Sequence, residues 1–323
     1  MKIICIEDGI HITYNGGETY TESVFGLDED KNILQNFTFN THLHIDKNNF
    51  KTITDNSDIV RLHNGFLLYS FGYEVSFAHY MTQTIPMLID YLDKYKDYKL
   101  LIPKHRYHNL CKDILESLKI TETQIEVLTD KTIYNIDNFI KVPFYDAPPS
   151  PFSETHIKIY NKIRDSLEIK QYPYPERKVY LKRDGIQNND FGNSETGKLR
   201  QIYNEDILID KLKENGFEII VLGNKHIQEK KLLLENIKIL VTPIGANCVN
   251  LIFGSSPRNI VYLSNNKNFG FEYYTSLCEN LNNTKINSVK LLYKGIPTDP
   301  KNQWNDSFSV DIEQILSVIN KFN

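Results

Sequence analysis

A chain of 323 residues, 41% hydrophobic and 24% charged, is long enough for about two domains, each with a core of its own. Its 37 lysines and arginines are balanced by 41 aspartates and glutamates, for a formal net charge of -4, which excludes the basic face that a nucleic-acid binder needs. Cys5, Cys111, Cys248 and Cys278 have no metal-ligand spacing and are too few for a disulfide scaffold, so reduced thiols in a cytoplasmic protein are expected. The opening MKIICIEDG lacks the pattern of a secretory leader, and no run of about 18 apolar residues reads as a membrane span.

The first ~60 residues read as short strands and turns, with NGGET at 15–19 as a hairpin signal. Phe66–Tyr69 is a strand candidate. In residues 76–95 the apolar positions Phe77, Tyr80, Met81, Ile85, Leu88, Ile89 and Leu92 recur at three and four, the period of an amphipathic helix. Pro86 lies inside it and is expected to kink or break it. KLLIPK at 99–104 reads as a buried strand, 107–120 as a helix, and QIEVL at 124–128 and NFIKVPF at 138–144 as strands. That order predicts a parallel sheet covered by helices.

APPSPF at 147–152 is the best boundary in the chain, dividing residues 1–150 from 151–323. Beyond it, helix 155–169 precedes a cleaner alternation. Strands are predicted at 177–183, 217–222, 238–243 and 258–263, and helices at 204–216, 227–237 and from 246. Gly216 stands at a helix C-cap position. The alternation predicts a doubly wound α/β domain, whose ligands bind outside the carboxyl ends of the strands. The last amphipathic segment, 310–322, is a candidate to pack back on the first domain.

Two places carry chemistry. In ILVTPIGANCVNLIF, 239–253, a strand ends in a turn at Gly245 and a helix begins. Glycine lets the backbone approach a ligand, and a helix start offers N–H groups to an anion such as a diphosphate. The same pattern also describes an ordinary tight turn. In YLKRDG and KLRQIYNEDIL, Arg183 ends a strand, Arg200 precedes a helix and Asn204 is placed to cap it. Two guanidiniums facing one cleft would hold a diphosphate, although each alone also reads as a surface ion pair. His79 alone reads as a partly buried structural group. His42 and His44 alternate as on a strand but lack a third metal ligand, and His105 and His108 read as exposed. Asp28-Glu29-Asp30 reads as a solvated acidic turn, not as a metal-binding DxD. No Walker loop, GxGxxG, GxSxG or HExxH occurs.

These segments, in order, resemble glycosyltransferase family 61, which includes bacterial and viral capsule-type, plant xylosyl- and arabinosyl-, and animal N-acetylglucosaminyltransferases. The resemblance rests on Phe77-Ala78-His79-Tyr80 with Ile85-Pro86, on Val179 to Arg183, and on Arg200 to Glu205. It continues through Gly216-Phe217-Glu218 and through Gly245-Ala246 to Asn250-Leu251-Ile252-Phe253. It covers about residues 60–265. The chain departs from the family at Ile244, where a histidine is usual before the Gly-Ala pair. It departs again at Met87-Leu88, where an arginine commonly follows the proline.

The resemblance implies an α/β protein of GT-B architecture, two Rossmann-like domains facing a central cleft. It implies inverting, metal-independent transfer from a UDP-sugar to a glycan or other hydroxyl acceptor, with no cofactor required. The donor is then expected on the second domain, at Arg183, Arg200, Asn204, Glu205, Gly245, Ala246, Asn247 and Asn250. Glu205 is the candidate for the ribose hydroxyls. His79 is the expected base for the acceptor proton, with Asp184 in reserve. Two alternatives stand beside this. One is an inactive α/β scaffold or nucleotide-binding protein, with its chemistry lost at Ile244. The other is a different Rossmann enzyme, such as an epimerase or dehydrogenase, which the missing glycine fingerprint counts against.

Overall fold

The computed structural model describes residues 1–13, 19–34, 47–69, 77–104, 108–142, 152–167, 175–183, 201–223, 225–255, 257–265, 271–296 and 307–322. The chain divides into two compact units, Met1–Pro148 and Pro149–Asn323. Both are α/β.

The first unit holds a six-stranded sheet. Strands β1 (Lys2–Thr13) and β2 (Thr19–Leu27) form an antiparallel hairpin running from Lys2 opposite Leu27 to Thr13 opposite Thr19. The NGGET segment falls mostly outside the described residues. These strands have 12 and 9 residues, longer than the short strands expected. β3 (Asp58–Leu67), β4 (Lys99–Pro103), β5 (Ile125–Leu128) and β6 (Thr132–Ile140) follow, in the order β2-β1-β6-β3-β4-β5. β6 runs parallel to β3 and antiparallel to β1, so a parallel sheet carries an antiparallel hairpin at one edge. β6 begins six residues before its expected start at 138. Its apolar residues Ile133, Tyr134 and Ile136 are buried in the core. Helix α1 (Lys47–Asp55) precedes β3, and α4 (His108–Ser117) connects β4 to β5.

Between β3 and β4 the helical segment changes pitch around Pro86. It opens as α2 (Phe77–His79), widens to a π turn (Tyr80–Thr84), tightens to a 3₁₀ turn (Ile85–Met87) and continues as α3 (Leu88–Lys94). A proline inside a helix has no N–H to donate and its ring crowds the carbonyl four residues back. A π turn followed by a 3₁₀ turn accommodates both. Residues 80–89 are all buried, so this stretch is core on every side and only α3 recovers a polar face.

The second unit holds a five-stranded sheet, all parallel. β7 (Arg177–Leu181), β8 (Phe217–Ile220), β9 (Ile237–Pro243), β10 (Asn259–Ser264) and β11 (Asn287–Leu292) lie in the order β8-β7-β9-β10-β11. In order along the unit this is 2-1-3-4-5, the flavodoxin-like doubly wound arrangement, and its switch point falls between β7 and β9. Residues of β9 and β10 are buried almost throughout, as strands covered on both faces require.

The unit's helices are α5 (Glu154–Ser166), α6 (Glu205–Glu214), α7 (Ile227–Leu233), α8 (Phe271–Asn282) and α9 (Ile312–Phe322). Gly216, just past α6, has φ 80, the left-handed conformation expected of it. A small ladder pairs β12 (Gly295–Ile296) with β13 (Ser307–Phe308). Ile315 and Ile319 of α9 are buried in one cluster with Tyr180, Leu208, Val241 and Leu263. Burying two such side chains contributes roughly 1.5–3 kcal/mol each. The last helix therefore contributes to the core of the second unit.

Candidate functional site at the sheet switch point

The carboxyl ends of β7 and β9 are neighbours. The Thr242 hydroxyl donates to Leu181 O at 3.2 Å, and Asn247 Nδ2 donates to Lys182 O at 3.4 Å. Lys182 and Arg183 follow β7 directly and are half-buried. β9 runs into Ile244, whose N–H donates to Leu263 O at 2.9 Å, and then into Gly245. Gly245 has φ 153 and ψ -167, a region that side chains forbid to residues other than glycine. The sharp turn at this switch point therefore requires that residue.

The expected helix after Gly245 is 3₁₀, Ala246–Phe253. The Cys248 N–H donates to Gly245 O at 2.9 Å. The 3₁₀ pattern leaves the N–H groups of Ala246 and Asn247 without an intrahelical acceptor. Burial pushes the Cys248 thiol up to about 11, and the positive charge of Arg183 acts against that rise. Arg183 thus lies within electrostatic reach of this short helix. Ile244, where the family's histidine is usual, is a buried core side chain.

Glu205, at the start of α6, takes a hydrogen bond from the Tyr180 hydroxyl at 2.7 Å and an ion pair from Lys182 Nζ at 3.3 Å. Its two carboxylate oxygens hold the end of β7. Burial, followed by the charge of Glu205, raises the Tyr180 hydroxyl well above the ordinary tyrosine value, so Tyr180 is the donor. Asn204 stands at the N-cap of α6, as expected, but its side chain makes no capping hydrogen bond. Its carboxamide instead pairs twice with Val310, accepting from N at 2.9 Å and donating to O at 2.8 Å, and so pins the segment before α9.

Asn250 is buried and donates from Nδ2 to both O and Oδ1 of Asn247, at 3.0 and 2.9 Å. Behind it, Lys230 of α7 is only 4% exposed and donates from Nζ to Asn250 Oδ1 at 3.1 Å. Lys230 was not singled out from the sequence, because in IQEKKLLLENI it reads as one of several solvated lysines. Its place two residues before the apolar Leu232 gives no signal. Only the packing of α7 on the 3₁₀ helix buries it.

In the first unit His79 is half-buried at the junction of α2 and the π turn. Its Nδ1 lies 3.1 Å from Gln83 Oε1. A carboxamide oxygen only accepts, so Nδ1 is the donor to Gln83, and a neutral ring keeps its lone pair on Nε2. Asp28 accepts from the Asn32 N–H at 2.8 Å within an exposed turn, and that bond lowers its carboxyl below the ordinary range. His108 is half-buried rather than exposed, and burial, reinforced by the charges of Lys104 and Lys112, lowers its proton affinity. Asp184, Arg200, His42, His44 and His105 lie outside the described residues.

The site so defined is a glycine turn, two cations and free helix N–H groups at the switch point of a parallel sheet, the kind of place where phosphate esters are held. A sequence profile of the family Glycosyltransferase 61 matches residues 77–262, more than half of the chain. The match runs from the segment of His79 through β7 and β9 into β10. The chain belongs to glycosyltransferase family 61 and is a glycosyltransferase. No curated protein matches it. Among the described residues no helix is long and apolar enough to cross a membrane.

Proposed function

We propose that the protein is an inverting, metal-independent transferase of GT-B type that moves a sugar from a UDP-sugar to a glycan or other hydroxyl acceptor. One observation carries this reading. At the switch point, Arg183 and Lys182 after β7 stand beside the glycine turn and the 3₁₀ start after β9. Fixed cations and backbone N–H groups stabilise the charge that develops on a departing diphosphate, the part a divalent cation plays elsewhere.

In this reading the second unit binds the donor. Arg183, the N–H groups of Ala246 and Asn247, and Arg200 hold the diphosphate. Glu205 takes the ribose hydroxyls, since each oxygen keeps a lone pair beyond its bond to Tyr180 or Lys182. The first unit is the acceptor side. The acceptor oxygen attacks the anomeric carbon opposite the bond to the diphosphate. Its proton passes to His79 Nε2, and the sugar–oxygen bond breaks with its electron pair leaving on UDP. Asp184 is the alternative base. The tautomer that Gln83 imposes on His79 fits a base.

The test is a screen of UDP-, GDP- and CMP-sugars with release of free nucleotide as the readout, followed by proton NMR of any product. Transfer from a UDP-sugar in EDTA, with the anomeric configuration inverted, supports the reading. A retained configuration, or activity that EDTA abolishes, contradicts it.

A further inference from the structure

Four polar groups beneath the proposed diphosphate site form a hydrogen-bond chain that runs one way. Lys230 Nζ donates to Asn250 Oδ1 at 3.1 Å, Asn250 Nδ2 donates to Asn247 Oδ1 at 2.9 Å, and Asn247 Nδ2 donates to Lys182 O at 3.4 Å. An asparagine carboxamide has nearly the same shape with its oxygen and nitrogen exchanged, so packing alone does not fix which end faces which way. Lys230 does fix it, because an ammonium has donors only. It turns Asn250 Oδ1 toward α7 and Nδ2 toward Asn247. Asn247 must then offer its oxygen inward and its nitrogen outward.

We propose that Lys230 is a positioning residue for the donor, which aims the second carboxamide N–H of Asn247 at the diphosphate. The inference rests on the reading that the turn after β9 holds that diphosphate. Three observations point to such use. Lys230 and Asn250 are each only 4% exposed, while Asn247 at the outer end is half-buried, so the chain leads from the core to the rim of the switch point. Only one of the two Asn247 amide hydrogens is used on Lys182 O. The ammonium also lies 5.9 Å from the centre of the Phe253 ring, whose face stabilises a desolvated cation. Burying a charge for structure alone is a poor solution, because an apolar residue of equal volume is often as stable or more so.

The experiment compares UDP binding by calorimetry in the full chain carrying Lys230→Met, Lys230→Arg, Asn247→Ala or the Lys230→Met/Asn247→Ala pair, with thermal unfolding of each. Lys230→Met should weaken UDP by about tenfold with Tm unchanged or raised, and Lys230→Arg should recover most of the loss. The pair should bind no worse than Asn247→Ala alone, because both act through one carboxamide. Unchanged binding in Lys230→Met, or losses that add in the pair, overturns the inference. If Lys230→Met does not fold, Lys230→Arg and Asn247→Ala carry the test, and binding equal to the unsubstituted chain in Asn247→Ala overturns it. A chain that without substitution binds no nucleotide overturns the donor-site reading, and this inference with it, a result separate from the others.

Discussion

The hydroxyl of Tyr180 donates to the carboxylate of Glu205 at 2.7 Å, joining the end of β7 to the first turn of α6. The bond fixes the strand end that carries Lys182 and Arg183, and the carboxylate also sits favourably at a helix N-terminus. Tyr180 is fully buried, so Tyr180→Phe keeps the ring and removes one bond to a charged group. Urea unfolding should show a loss of about 1.5–3 kcal/mol. A midpoint equal to that of the unsubstituted chain would show that Glu205 is held by Lys182 alone.

Gly245 holds φ 153, a conformation that costs a residue with a side chain about 1–3 kcal/mol. Gly245→Ala should lower Tm accordingly. It should also weaken UDP by about tenfold or more, because the turn must reopen to relieve the strain. A variant with normal Tm and normal UDP affinity would remove the turn from the site.

The alternation of strands and helices in the second unit was legible because parallel strands buried on both faces read as compact apolar runs: RKVYL, FEII, KILVTP and NIVYL each mark one. β11 and α8 were not, since β11 is an edge strand that is mostly only partly buried and NSVKLL makes no compact apolar run. The turn signal of NGGET between β1 and β2 was legible, because a hairpin pairs residues close in sequence. The early start of β6 was missed, since its pairing with β1 joins residues more than a hundred apart, as Lys2 opposite Asn135 shows, and pairing at that distance leaves no local pattern. Of the site, Arg183 and Gly245 could be read from their place at strand ends. The tie of Asn204 to Val310 and the burial of Lys230 could not, because both depend on which helices pack together.

All four cysteines are buried thiols outside any disulfide. Burial pushes the thiols of Cys111 and Cys278 up to about 12 and that of Cys248 up to about 11, from an ordinary 9.0. The folded state therefore keeps these protons as pH rises past 9 while the unfolded chain loses them. The stabilising contribution is complete below pH 9. It falls by up to about 1.4 kcal/mol per pH unit for each thiol, until the folded values near 11 and 12 are passed. Tyr160, Tyr180 and Tyr262, all raised by burial, act in the same direction at higher pH. Urea midpoints should drop steeply between pH 8.5 and 10.5, and a thiol reagent should find no reactive cysteine in the native chain at pH 8. Flat midpoints or a fast-reacting thiol would contradict this burial.

His79 and Gln83 form one unit across the π turn. His79→Ala should abolish turnover and leave UDP affinity unchanged. Gln83→Leu removes the acceptor that holds the imidazole tautomer and should lower kcat by about tenfold or more with little change in KM for the donor. Full activity in His79→Ala would exclude it as the base and pass that role to Asp184.

In the proposed donor site Arg183 and the turn at Gly245 hold a nucleoside diphosphate without a metal. Calorimetric titration with UDP, in buffer and in EDTA, on the unsubstituted chain and on Arg183→Ala tests it most directly. Saturable binding that EDTA leaves intact and Arg183→Ala abolishes is expected. Binding that disappears in EDTA, or that survives Arg183→Ala undiminished, would contradict it.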